Sequence, residues 1–148
     1  MAVSISGLLQ RETMPVLESA MGFAYHRQLA IMNNIANVET PRFKRRVLPE
    51  EGFKQSLENA IAERYRSHWN EFHVRDNPDV RFAHGTYPVP RFPEGRDWGP
   101  MRHDENNVVI EKEMVDLAKN SMMMETLQKV FKNKTSSIKT ALRGSGGA

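Results

Sequence analysis

His26, His68, His73, His84 and His103 are the residues of this chain best suited to bind a metal or move a proton. Their spacing supports neither role. A helical zinc site needs two histidines four apart around a glutamate, and none occurs; His68 and His73, five apart, do not share a helix face. There is no cysteine, which excludes disulfides, thiolate metal sites and a cysteine nucleophile. The acidic pairs Glu50-Glu51 and Asp104-Glu105 are adjacent in sequence and read as solvated charges. Gly95-Arg96-Asp97-Trp98-Gly99 is a turn among prolines, and no G-x-S-x-G, Walker or dinucleotide-binding glycine pattern appears. The chain reads as a non-enzyme with no catalytic residue, cofactor or metal.

Two polar segments remain that could recognise something. Arg42, Lys44, Arg45 and Arg46 surround Phe43 and could touch phosphates. No nucleic-acid fold pattern accompanies them, and a net charge of +3 is only mildly basic, so a solvated basic segment is the preferred reading. A basic nucleic-acid-binding adaptor is the alternative from a different class. The other segment is Asn33-Asn34-Ile35-Ala36-Asn37-Val38-Glu39-Thr40-Pro41. Asparagine inside a helix costs roughly 0.5–0.7 kcal/mol relative to alanine, and here three crowd into the end of one. Pro41 disfavours the α conformation at Thr40, so the helix should stop just before it. Either the asparagines are a frayed helix end, or their amides bond backbone at a packed interface.

Three zones position these groups. Over 14–37, Leu17, Ala24 and Ile31 recur every seven residues and continue to Val38, with Pro15 in the first turn of an amphipathic helix. From 42 to 106 the pattern breaks. Phe53, Leu57 and Ile61 mark a short helix from about Glu50 to Ala62; Phe72-His73-Val74-Arg75 and Val80-Arg81-Phe82 read as short strands among scattered prolines and aromatics. From 107 to 143, Ile110, Leu117, Met124, Phe131 and Ile138 lie seven apart, with Met114, Ser121, Gln128, Thr135 and Leu142 as companion row. Such a repeat predicts a coiled-coil seam that needs a partner helix, and the N-terminal helix is the nearest. Polar Ser121, Gln128 and Thr135 would then fix its register. Met122-Met123-Met124 reads as adaptable packing.

The expected fold is mainly α. Residues 14–41 plus 107–143 pair as a discontinuous helical rod domain, 42–106 form an inserted, partly irregular or β segment, and 144–148 are a flexible tail. Apolar residues make up 39% of the 148 and mean hydropathy is −0.59, which predicts an elongated, surface-rich molecule rather than one large core. Nothing reads as a cleaved signal peptide, and the apolar runs are too short to span a bilayer.

The segment from Asn33 to Pro41, followed by Phe43 and Lys44, resembles the signature of flagellar rod, hook and hook-associated proteins, in which an NIAN core precedes T-P-G-[FY]-[KR]. Arg42 stands where glycine is usual, and a side chain there penalises φ > 0. Asn106-Asn107-Val108-Val109-Ile110-Glu111-Lys112-Glu113-Met114 and Leu117-Ala118-Lys119-Asn120 are similar to the proximal-rod members. The resemblance implies a structural subunit of the periplasmic proximal rod, exported by the flagellar type III apparatus without a cleaved signal. It would transmit torque between the membrane ring with its export gate and the distal rod. Its partners would be other rod and rod-adaptor proteins, membrane-ring and export-gate components and copies of itself, with no nucleic acid and no membrane insertion. The residues expected to carry assembly are Asn33, Asn34, Asn37, Pro41, Ile110, Leu117, Met124, Phe131 and Ile138. Another proximal-rod component is the alternative within the family.

Overall fold

A computed structural model of the protein describes residues 5–67, 72–84, 86–90 and 102–144, and the side chains of 5–12, Tyr65, Ser67, Leu142 and Gly144 are left out of that description. The chain order is α1 (Ile5–Ala36), α2 (Glu50–Ser67), β1 (Val80–Ala83), β2 (Tyr87–Pro90) and α3 (Ile110–Gly144). The fold is mainly α, as the periodicities predicted, and among the described residues the insert carries one small antiparallel hairpin, whose first strand alone matches a strand expected from the sequence. His68, Trp69, Phe92, Trp98, the turn at 95–99 and 145–148 lie outside the described residues.

α1 begins at Ile5 rather than near Met14, so Pro15 sits inside the helix and not in its first turn. A proline there removes one backbone donor and crowds the carbonyl four residues before it. In a helix of 32 residues that loss is local, and the remaining bonds carry the helix through. α2 runs on past Ala62 to Ser67, with Glu50 and Glu51 in its first turn and Arg64 and Arg66 in its last, each charge opposing the helix dipole. α3 has the same polarity, with Glu111 and Glu113 at its start and Arg143 at its end.

α1 occupies the middle of the molecule. One side faces the insert, where Phe23 stacks on Phe53 of α2 with ring centroids 4.1 Å apart, and Phe53 stacks in turn on Phe82 of β1. Ala30, Leu48, Ala60, Phe72, Val74 and Val80 complete this buried cluster. The hairpin docks on α1 through a close approach at Gly22: a Cβ there would lie 3.0 Å from Pro88 Cδ. Ser19, fully buried, donates its hydroxyl to the Thr86 carbonyl beside that contact. Phe72 and Val74 are buried and His73 and Arg75 exposed, the alternation of a strand, but this segment pairs with no described strand and forms none itself.

α3 packs along another side of α1, antiparallel to it: Glu113 lies by Asn34, and Asn120 lies by Ala24 and Gln28. Leu117, Met124, Phe131 and Ile138 are half-buried, while Ile110 is exposed. The companion row is one residue off the sequence expectation. Met114, Ser121 and Gln128 are exposed, and among that row's described side chains only Thr135 is half-buried; the inward row starts with the fully buried Glu113 and Asn120 and continues with half-buried Leu127 and Lys134. Spacing alone did not separate these rows, because the polar side chains are the ones that found partners.

Candidate functional site

The asparagine segment lies where the end of α1, the stretch 37–46 and the start of α3 meet. A helix end leaves carbonyls without intrahelical donors. Here the Asn37 amide donates to the carbonyls of Asn33 and Asn34, both at 3.2 Å, and Val38 donates to Ile35. The loose carbonyls are then taken from across the chain. Asn106, fully buried, donates its carboxamide to the carbonyls of Asn37, Val38 and Thr40 at 3.0, 3.1 and 2.9 Å, and accepts from the Val108 amide. Arg102 adds a bond to the Val38 carbonyl. The residues just before α3 therefore cap the end of α1.

Arg42 has φ 60°, in the left-handed region, and its amide donates to the Asp104 carbonyl at 2.9 Å. The turn keeps the conformation that glycine would take most easily, at a cost of roughly 1–2 kcal/mol for a residue with a side chain. Pro41 is exposed beside it. Glu105, across the junction, has φ 62°, and its carbonyl accepts from Lys44 Nζ.

Asn34 is the centre. Its side chain is fully buried; Oδ1 accepts the Arg46 amide and Nδ2 donates to the Arg46 carbonyl, both at 2.8 Å. The carboxamide thus pairs with one residue's backbone as a neighbouring strand would. Nδ2 also donates to Glu113 Oε2 at 3.0 Å. The other Glu113 oxygen takes Arg45 Nε, and the Arg45 guanidinium reaches Asp116 at 3.0 Å. The Arg45 amide donates to Asn107 Oδ1 at 2.6 Å. Truncating one partner of such a buried pair strands the other charge, at a cost of about 3–5 kcal/mol.

The three asparagines are therefore not equivalent. Asn34 ties α1 to both other segments. Asn37 is half-buried and acts locally, donating to the Asn33 carbonyl and accepting from the Thr40 hydroxyl. The Asn33 side chain is exposed. Leu117, Met124, Phe131 and Ile138 are half-buried along α3 and take no part in the hydrogen bonds of this junction. Arg45, Asn106, Asn107, Glu113 and Asn120 were missed as site residues. The basic cluster had hidden Arg45, whose side chain is only 8% exposed, and removing that charge to the interior weakens the case for a phosphate-binding surface. Asn120 donates to the Ala24 carbonyl and Gln28 Oε1, while its own Oδ1 is buried without a partner among the described residues.

Nothing in this arrangement pairs a nucleophile with a base. Among the described residues no group of three or more histidine and carboxylate side chains could hold a metal, and no helix is long and apolar enough to cross a membrane. His26 sits edge-on to Tyr25 and Tyr87, each centroid 5.7 Å away; burial lowers its pKa, and Nε2 has no partner among the described residues. What the junction can do is hold three segments in one relative position.

No protein-family model matches the chain. Curated proteins do. It is 30% identical over 135 residues to the flagellar basal body rod protein FlgB of Bacillus subtilis, covering 89% of this chain and 94% of that one. FlgB of Borreliella burgdorferi is 30% identical over 118 residues, covering 79% and 85%. FlgB of Aquifex aeolicus is 24% identical over 124 residues, covering 84% and 87%. An alignment of that extent takes in both terminal helices, the insert and the junction together, and the chain belongs to the FlgB family of flagellar basal body rod proteins.

Proposed function

We propose that this protein is a subunit of the proximal rod, joining the membrane ring and export gate to the distal rod and passing torque along the axis. As a FlgB-family member it is a component of the flagellar basal body rod and a structural protein, not an enzyme. On this reading it leaves the cytoplasm through the type III apparatus and assembles in the periplasm against other rod and rod-adaptor proteins and copies of itself. Flagellum-dependent motility would require it.

The observation that carries the reading is apolar surface at helical spacing with no cover among the described residues. Tyr25, Leu29 and Met32 recur at i, i+4 and i+7 on α1 and are 49%, 46% and 54% exposed; Met122 on α3 is 69% exposed. Contiguous exposed apolar side chains of this size mark contact surfaces. Stacking one such face on a different face of the next subunit makes an open, heterologous contact, the kind that builds an axis. Leu117, Met124, Phe131 and Ile138 would hold α3 to α1 as a coiled coil, and Ile110 would face a neighbour. Asn33, Asn34, Asn37 and Pro41 would set the turn from which the insert projects.

The test is composition and phenotype together. Basal bodies purified from the source bacterium should contain the protein at the membrane-proximal end of the axis, and a deletion strain should lack rods and be non-motile. Full motility and normal rods in the deletion strain would refute the reading.

A further inference from the structure

The hairpin has two outer edges, and neither presents a free N–H at its paired positions; on the β2 edge Pro88 Cδ lies against Gly22 of α1. Its register pairs Val80 with Pro90, Arg81 with Val89, Phe82 with Pro88 and Ala83 with Tyr87. Residues of an antiparallel pair alternate between bonding the partner strand and facing away from it. Val80 and Phe82 face away, since their amides are engaged elsewhere: Val80 donates to Asn77 Oδ1 at 2.6 Å and Phe82 to Asp76 Oδ1 at 2.7 Å. The Asn77 amide donates back to the Val80 carbonyl at 3.0 Å. Opposite them on β2 stand Pro88 and Pro90, which have no N–H to offer. Of the four outward positions, two donors are covered by side-chain oxygens and two do not exist.

The cover is held from behind. Asn77 Nδ2 donates to the Gly52 carbonyl and to Ser56 Oγ of α2, both at 2.7 Å. Asp79 Oδ2 would lie 3.0 Å from a Cβ at position 52, so the loop fits this closely because residue 52 is glycine. An uncovered edge strand presents a row of free donors and acceptors on which another chain can pair.

We propose that Asp76 and Asn77 guard the β1 edge, preventing a second copy from adding its own strand and confining contacts between copies to other surfaces. This goes beyond the rod reading and does not depend on it. In a protein that leaves much apolar helix surface exposed, open strand edges would give association a second, unregulated route.

Asp76→Ala frees the Phe82 donor, Asp76→Leu does so while keeping the bulk of the side chain, and Asp76→Asn keeps an acceptor at the same place. Sedimentation of the full chain measures the outcome. It is read with amide exchange at Phe82 in each variant. For Asp76→Ala and Asp76→Leu, association should begin at about tenfold lower concentration than for wild type, the factor of roughly one regained bond. The freed amide should exchange quickly when dilute and slowly when concentrated. Asp76→Asn should behave as wild type. Should Asp76→Ala fail to fold, Asp76→Leu decides. A folded Asp76→Ala or Asp76→Leu that associates no more than wild type overturns the proposal.

Discussion

Replacing the junction asparagines one at a time separates a frayed helix end from a packed one. Asn34→Ala removes two bonds to the Arg46 backbone and one to Glu113. Water can partly replace the first two, because Arg46 is exposed. It cannot easily reach the fully buried Glu113, which keeps Arg45 but loses a donor. With about 1–3 kcal/mol for each buried group left short, the gross loss is about 3 kcal/mol. The gain in helix propensity returns roughly 0.5–0.7 kcal/mol, for a net loss of about 2 kcal/mol. Asn37→Ala gives up only a local bond to Asn33 and one from the Thr40 hydroxyl, and its cost should fall within about 0.5 kcal/mol of zero. Asn33→Ala should be neutral or stabilising by the propensity term. Asn34→Asp is the severest, since it sets a second carboxylate against Glu113 and the Arg46 carbonyl. Urea unfolding followed by circular dichroism, with a common slope across the series, ranks them. If Asn34→Ala loses no more than Asn37→Ala, the three residues are a polar helix end and the junction does not hold the fold.

Arg42→Gly should raise stability by about 0.5–1 kcal/mol: relief of the φ 60° conformation exceeds the entropy that glycine adds to the unfolded chain, and the amide bond to Asp104 is kept. A loss in urea unfolding would show that the Arg42 side chain contributes more than its backbone costs. Gly22→Val forces a side chain into contact with Pro88 and Tyr87 and should cost about 1–3 kcal/mol, with faster amide exchange in β1 and β2. Unchanged exchange there would mean that the hairpin is not held by this approach. Burial lowers the folded-state pKa of His26 below the ordinary value of 6.5, so the unfolded chain binds the proton more readily. His26 should therefore contribute its full stability above about pH 6.5 and lose it as pH falls from there through the folded-state pKa, and His26→Phe should flatten that slope. An unchanged slope in the variant assigns the pH dependence to other groups.

The helices were legible because burial repeats along them. Leu117, Met124, Phe131 and Ile138 stood out in the sequence and are the half-buried row of α3. The adjoining row was not legible. Hydrophobicity ranks Glu113 and Asn120 as surface residues, and only tertiary partners from α1 and from 42–46 make their burial possible. The same limit explains 72–75, where alternation was real but reported half-burial rather than pairing. It explains β2 too, since Tyr87-Pro88-Val89-Pro90 carries two residues that argue against a strand and are tolerated only on an outer edge. Arg42 was legible as an anomaly beside the glycine expected from the resemblance, and its φ of 60° is the conformation that glycine takes most easily.

Why asparagine at 34, and not another polar residue, follows from what surrounds it. The site offers one backbone N–H, one backbone carbonyl and one carboxylate oxygen within reach of a single side chain. A carboxylate could serve the N–H but would repel Glu113; lysine could serve the oxygens but not the N–H. Serine has one donor and cannot span both Arg46 groups. Glutamine has the chemistry but is one methylene longer, and a fully buried position whose three partners already sit at hydrogen-bond distance must shift to admit it. The amide is thus required by three independent partners drawn from two segments, and through Glu113 it also senses Arg45. Were α3 to slide along α1 by one turn, Glu113 would leave Asn34 and Asn120 would leave Gln28 together. Sliding therefore strands buried polar groups at two places at once, which is how a contact made largely of half-buried apolar side chains acquires a single register.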